Sequence, residues 1–180
     1  MIYEKLQMPT EKTKLTKDCE WSQNLRYSLA ELPGNKLNVV GIDPGVNFGF
    51  CVIHGKRVHI YHGKLNTRPK TERSLYSVDA EKLTEWLLLG RVDGYDMILV
   101  EGAAYGKKFG QVQLAEVRTG YLHGALGYSD DVSIIPPSTA RKEGLGHGNA
   151  KASELWPTLN HNACDAVAIA MAALERLTDG

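Results

Sequence analysis

Apolar and polar positions alternate with period two from residue 37, and that period sets the first elements of the chain. Leu37, Val39, Gly41 and Asp43 fall on one face of an extended segment, Val40 and Ile42 on the other. A tight Asp43-Pro44-Gly45 turn leads to a second strand at about 47–54, and His54-Gly55-Lys56 turns into a third at about 57–64. The expected motif is an antiparallel meander. Period 3.6 takes over at 74–90, a helix closed by Gly90 with Leu83, Trp86 and Leu87 on one stripe. The short apolar run DMILVEG reads as a buried parallel strand ending at Glu101. A long helix follows at 109–127 with Leu114, Val117, Tyr121 and Ala125 inward, then a strand in DVSIIPP stopped by Pro136-Pro137. STARKEGLGHGNAKASEL holds a helical turn, a glycine-rich loop and a short helix. The last helix, about 162–177, is apolar nearly all round and therefore expected to be buried.

Residues 1–36 are polar and irregular, with one short helix expected near 20–31, and read as an N-terminal extension to a domain spanning 37–180. The ordering of elements predicts an α/β layer fold: a mixed five-stranded sheet, three antiparallel strands and then parallel ones, flanked by helices.

Composition narrows the function classes. With 43 % hydrophobic and 23 % charged residues the 180-residue chain reads as an ordinary soluble globule. No apolar run approaches the roughly 20 residues that span a bilayer, and the N-terminus lacks a secretory h-region. Three dispersed cysteines, Cys19, Cys51 and Cys164, without a CxxC pair point to an intracellular, reducing setting and no structural zinc. A net charge of zero lowers the expectation of a nucleic-acid partner. The charge is uneven, however: residues 54–73 carry six Lys/Arg against one Glu, with three His. Arg141, Lys142 and Lys151 form a second, weaker basic stretch.

Three carboxylates occupy unusual places. Asp43 interrupts a strand, Glu101 ends another, and Asp165 opens the buried last helix. A right-handed crossover sets the fourth strand beside the first, and a terminal helix packed on that sheet brings Asp165 to the same crevice. Each has a plainer reading. Asp43 is a good turn residue on its own, Asp165 a helix N-cap or first-turn acid, and Glu101 a strand end meeting solvent. Together they suit a hard divalent cation, Mg²⁺ or Mn²⁺, since converging carboxylates repel unless neutralised.

In these residues the chain resembles a RuvC-type Holliday junction resolvase, a nuclease of the ribonuclease H-like fold, over residues 37–176. GIDPGVNFGFCVI is similar to that family's first motif, MILVEGAAYGKKFGQVQLAEVRTG to its second, and NHNACDAVAIAMA to its closing one. The first motif alone is shared with sugar kinases and actin-like ATPases, whose architecture needs two such lobes. The resemblance implies a metal-dependent endonuclease that resolves four-way DNA junctions as a homodimer, by paired symmetric nicks through two-metal phosphodiester hydrolysis. Asp43, Glu101 and Asp165 would be catalytic and hold two Mg²⁺ or Mn²⁺ ions per site.

One position departs from the family pattern. The acid or histidine usual three residues before the last acid is Asn162 here, with His161 beside it. Either the amide completes the metal site without charge, or His161 supplies the fourth group, or Asn162 replaces a native aspartate. DNA contacts are implied for Tyr105, Lys107, Lys108 and Phe109, and for Arg141, Lys142 and Lys151 around the glycine-rich loop. Close phosphate approach is expected at Gly144, Gly146 and Gly148. The basic 54–73 segment, on the third strand and its exit, reads either as a solvated face or as a second phosphate track. The expected setting is cytoplasmic or nucleoid-associated, in a host cell if a phage or mobile element encodes the chain. Two other readings stay open: a ribonuclease H-like nuclease for other branched DNA or RNA, and a junction-binding protein with an impaired site.

Overall fold

The computed structural model describes residues 1–8, 13–16, 19–89, 94–103 and 111–180, the side chains of 111–113 excepted. Seven strands form one sheet: β1 (Lys14–Leu15), β2 (Ser22–Glu31), β3 (Asn38–Asp43), β4 (Asn47–His54), β5 (Arg57–Leu65), β6 (Met97–Glu101) and β7 (Val132–Ile135). Their order is β1-β2-β5-β4-β3-β6-β7. The meander β3-β4-β5 is antiparallel, while β6 and β7 add parallel to β3. This is the expected mixed sheet, with two strands more than the five anticipated.

The additional strands come from the N-terminal segment, and they correct the helix expected at 20–31. Leu, Ala, Arg and Glu in that stretch favour helix weakly, but β5 offers an open edge, and Ser22–Glu31 pairs along it from Ser22↔Leu65 to Glu31↔Arg57. A register shift between Gln23 and Arg26 interrupts the pairing. Asn24 sits there with φ of 53°, a left-handed conformation that asparagine tolerates better than most side chains. Beyond it Ser28 and Ala30 turn to one face and Tyr27 and Leu29 to the other, as a strand requires. Lys14–Leu15 then covers part of the new edge.

Helices close both faces. On one, α1 (Tyr76–Leu88) and α2 (Gln111–Leu126) enclose Val40, Ile42, Phe50, Val52, Ile98 and Val100. On the other, α5 (His161–Asp179) lies over Val39, Cys51, Ile53, Met97 and Leu99, supported by α3 (Pro137–Leu145) and the short α4 (Ala152–Leu155). As its composition predicts, α5 is buried almost all round from Ala163 to Leu174. Two inward assignments need correction. Leu83 and Leu88 carry the buried side of α1, whereas Trp86 is 42 % exposed; on α2, Val117, Tyr121 and Ala125 are buried but Leu114 is not. Gly90 lies outside the described residues. Pro136-Pro137 ends β7 as expected and also starts α3, with Pro137 in the first turn, where its missing N–H costs nothing. No helix among the described residues is long and apolar enough to cross a membrane.

Two glycines set how closely α5 approaches the sheet. A Cβ on Gly41 would lie 2.3 Å from the Ala166 carbonyl oxygen and 2.4 Å from the Ala170 nitrogen. One on Gly49 would lie 2.0 Å from the Asn162 carbonyl oxygen. Only a residue without a side chain permits this contact between backbones. The first turns of α5 are thereby laid directly on β3 and β4.

Candidate active site

Strand register places the first two acids side by side. Ile42 of β3 is paired with Val100 of β6 in parallel, so Asp43 and Glu101 are each the next residue along neighbouring strands. Asp43 shares its face with Val39 and Gly41, and Glu101 with Met97 and Leu99, which is the face that α5 covers. Asp165 projects from the second turn of α5. The cap of that helix is Asn160, whose Oδ1 accepts the Asn162 N–H at 2.8 Å. Asp165 is therefore neither N-cap nor first-turn acid, and its plain capping reading fails.

Electrostatics shows that the three acids share one environment. Asp43 is only 9 % exposed. Its pKa is pushed up to about 9, first by burial and then by the charges of Glu101 and Asp165. No hydrogen bond from the described residues offsets that burial, so the turn-residue reading of Asp43 does not account for it. Asp165 is also raised by burial, against the opposing pull of Arg141 and His161. Among the described residues, no three His, Cys, Asp or Glu side chains are gathered tightly enough to hold a metal ion as they stand. Mutual repulsion is a sufficient reason for carboxylates to stand apart on a shared crevice.

A cavity of about 400 Å³ opens beside Asp43, bounded by the 44–47 turn, Leu114, Val117, His161 and Asn162. Leu114, expected in the core, instead lines this opening. The turn itself is pinned from below: the fully buried Tyr121 hydroxyl donates to the Gly45 carbonyl at 2.6 Å. Arg118 Nε donates to the Glu101 backbone oxygen at 3.0 Å and adds a cation near the second acid. Burial lowers the Arg118 pKa and the Glu101 charge raises it.

Of the residues singled out from sequence, the structure brings together Asp43, Glu101, Asp165, Asn162 and His161, with Arg141 within electrostatic reach of Asp165. Arg141 also ties the glycine-rich loop, its Nε donating to the Gly148 carbonyl at 3.2 Å. Lys142 is exposed on α3, and Lys151 pairs with Glu154 at 3.3 Å in solvent. Gly144 does not serve as a phosphate cradle. A Cβ there would lie 2.2 Å from the Ala168 carbonyl oxygen, so its role is the close contact of α3 with α5. Within the basic 54–73 run, Arg68 is held by Asp79, which is buried, at 2.8 and 2.7 Å, and is spent on structure. Tyr105, Lys107, Lys108 and Phe109 lie outside the described residues.

Sequence reasoning missed Arg118 and, as a turn anchor, Tyr121. For Arg118 a signal existed, since a cation on the helix that follows the Glu101 strand has few other acids to face.

No protein-family model matches the chain, and no curated protein matches it in sequence. Solved structures do match. Thermus thermophilus RuvC superposes with a TM-score of 0.60 at 18 % identity, covering 80 % of this chain and 97 % of that one. T. thermophilus RuvC in complex with Holliday junction substrate superposes at 0.59 and 20 %, covering 80 % and 96 %. The chain therefore has a RuvC-type fold, the ribonuclease H-like architecture that the three motifs implied.

Proposed function

We propose that the protein is a divalent-cation-dependent endonuclease that resolves branched DNA, with four-way junctions as its preferred substrate. One observation carries the reading. On a RuvC-type fold, Asp43 is nearly buried, lacks a compensating donor among the described residues, and is flanked electrostatically by Glu101 and Asp165. A fold keeps such a carboxylate only where something offsets its desolvation, and a hard cation is the simplest candidate.

The donor set fits that cation. Asp43, Glu101 and Asp165 offer carboxylate oxygens and Asn162 an amide oxygen, the hard ligands that Mg²⁺ or Mn²⁺ prefers. Bound there in a pair, such ions would activate water and stabilise the leaving oxygen of a phosphodiester. The chain's own groups do the rest. Arg118 and Arg141 balance charge near Glu101 and Asp165. Tyr121 fixes the turn that carries Asp43. Leu114 and Val117 exclude water from one wall of the cavity.

Paired nicks in opposite strands require two such sites, hence a second copy of the chain. Exposed apolar side chains on and beside α1 support that arrangement. Leu75, Val78, Trp86 and Leu89 are 38, 45, 42 and 70 % exposed; Val78 and Trp86 belong to α1, and Leu75 and Leu89 flank its two ends. Incubation with a labelled immobile four-way junction, a fork and a duplex, each with and without Mg²⁺ or Mn²⁺, tests the reading. Metal-dependent cutting of the junction in preference to the duplex is expected, and cutting of none would overturn it.

Asn162 and the spacing of the acids favour one competing reading, a junction-binding protein whose site is impaired. Its signature is tight junction binding without cleavage, and cleavage that appears in Asn162→Asp.

A further inference from the structure

The strand pairings define a transverse row that crosses the sheet from the acids to β2, the strand next to the edge strand β1. Asp43 lies opposite Gly49, Gly49 opposite His62, and His62 opposite Arg26. Residues directly opposite each other share a face, so all four lie on the side covered by α5. Arg26 belongs to β2, one of the two strands added by the N-terminal segment. At about 4.8 Å between strands, the row from Asp43 to Arg26 spans about 14 Å. That is the rise of about four stacked nucleotides at about 3.4 Å each.

The chemistry along this row changes sign in one direction. At one end are the carboxylates. Next comes Gly49, which has no side chain and on which the start of α5 rests, bringing His161 over the row. His161 acts electrostatically on Asp165 on one side and on His62 on the other. His62 in turn feels Arg26, and burial together with these two neighbours draws its pKa below the ordinary histidine value. At neutral pH it is an uncharged hydrogen-bond donor beside a fixed guanidinium. Arg26 is exposed, and no ion pair formed among the described residues involves Arg26 or His62. Lys64, two residues along β5 from His62 and on the same face, is also exposed.

We propose that Arg26 and His62, continued by His161 toward the acids, form a phosphate-holding rail that grips the DNA strand as it leaves the cleavage site over the N-terminal strand. The inference rests on the nuclease reading above and extends it, because it gives strand β2 a function that the sheet alone does not require. It also separates the basic residues by role. Arg26 contacts backbone phosphate, whereas Arg68, engaged by Asp79, and Lys151, engaged by Glu154, do not lie on the rail.

The test is equilibrium binding of a labelled four-way junction by Asp43→Asn protein, measured by fluorescence anisotropy at several salt concentrations. Adding Arg26→Ala is expected to weaken binding about tenfold at low salt and to reduce the slope of log K against log salt by about 0.7–0.9, the loss of one phosphate contact. Arg26→Lys should restore the slope, and Lys36→Ala, an exposed lysine just before β3 at the opposite end of that strand from Asp43, should change neither quantity. If the parent binds the junction and Arg26→Ala leaves both affinity and slope unchanged, the rail is refuted while the nuclease reading stands. If the parent binds no DNA at all, both fail.

Discussion

Asp43→Asn should make the cation-free protein more stable, and by an amount that depends on pH. The carboxyl is 9 % exposed, and its pKa is pushed up to about 9 from an ordinary 3.8. Between those two values the native chain holds a proton that the unfolded chain has released. Rising pH therefore favours unfolding, the reverse of the usual salt-bridged aspartate. The penalty begins near pH 3.8 and grows by about 1.36 kcal/mol per pH unit, levelling off above about 9. That is about 1–2 kcal/mol at pH 5 and about 4 kcal/mol at pH 7. An asparagine of the same shape carries no such penalty. Its buried amide has its own requirement for partners, about 1–3 kcal/mol, but that term does not vary with pH. The pH dependence is thus the diagnostic quantity. In a chain of this size 1 kcal/mol moves Tm by about 2–4 °C, so the advantage of the variant over wild type should grow by about 5–10 °C between pH 5 and pH 7. Thermal melts in EDTA measure it. A difference between the two proteins that is the same at both pH values would refute the reasoning.

Other outcomes follow from the same geometry. Asp43→Asn should abolish metal-dependent junction cleavage in a gel assay while sparing junction binding, since the substitution removes a cation ligand and no phosphate-holding group. Gly41→Ala should destabilise by about 1–3 kcal/mol in urea melts, because the added methyl meets the Ala166 and Ala170 backbone; unchanged stability would mean that α5 is not pressed on β3. Asn162→Asp should tighten Mg²⁺ or Mn²⁺ binding by calorimetry, as an acid replaces an amide beside the cavity, and weaker binding would remove Asn162 from the ligand set. Replacing Lys142 and Lys151 together should weaken junction binding and flatten its salt dependence; because Lys151 already pairs with Glu154, the change should come mainly from Lys142.

The acids were legible because each breaks an apolar run, and a buried charge stands out against its neighbours in any sequence window. Asp43 follows Val39, Val40 and Ile42; Glu101 ends Met97–Val100; Asp165 precedes an almost wholly apolar turn of α5. The meander was legible too, since its turns carry Asp-Pro-Gly and His-Gly-Lys and its strands keep period two. Strand β2 was not. Its bulge at Gln23–Arg26 shifts the alternation partway along, and its residues have no β-branched member, so only the free edge of β5 decides its conformation. Trp86 was misplaced because a large apolar side chain at helical spacing looks inward by pattern, while its true face depends on what α1 meets. Gly144 looked like a loop glycine, although it is a packing contact between helices whose partner, Ala168, is distant in sequence. Arg26 and His62 acquire meaning only through two successive cross-strand registers.

The account turns on whether Asp43 is kept for a divalent cation. Calorimetric titration of the free protein with Mg²⁺ and with Mn²⁺ at pH 7, in two buffers of different ionisation enthalpy, reads both binding and proton release. Asp43 holds a proton at that pH with no cation bound, so binding should expel about one proton per chain, and Asp43→Asn should expel none. Absence of saturable binding, or binding with the same proton count in both proteins, would contradict it.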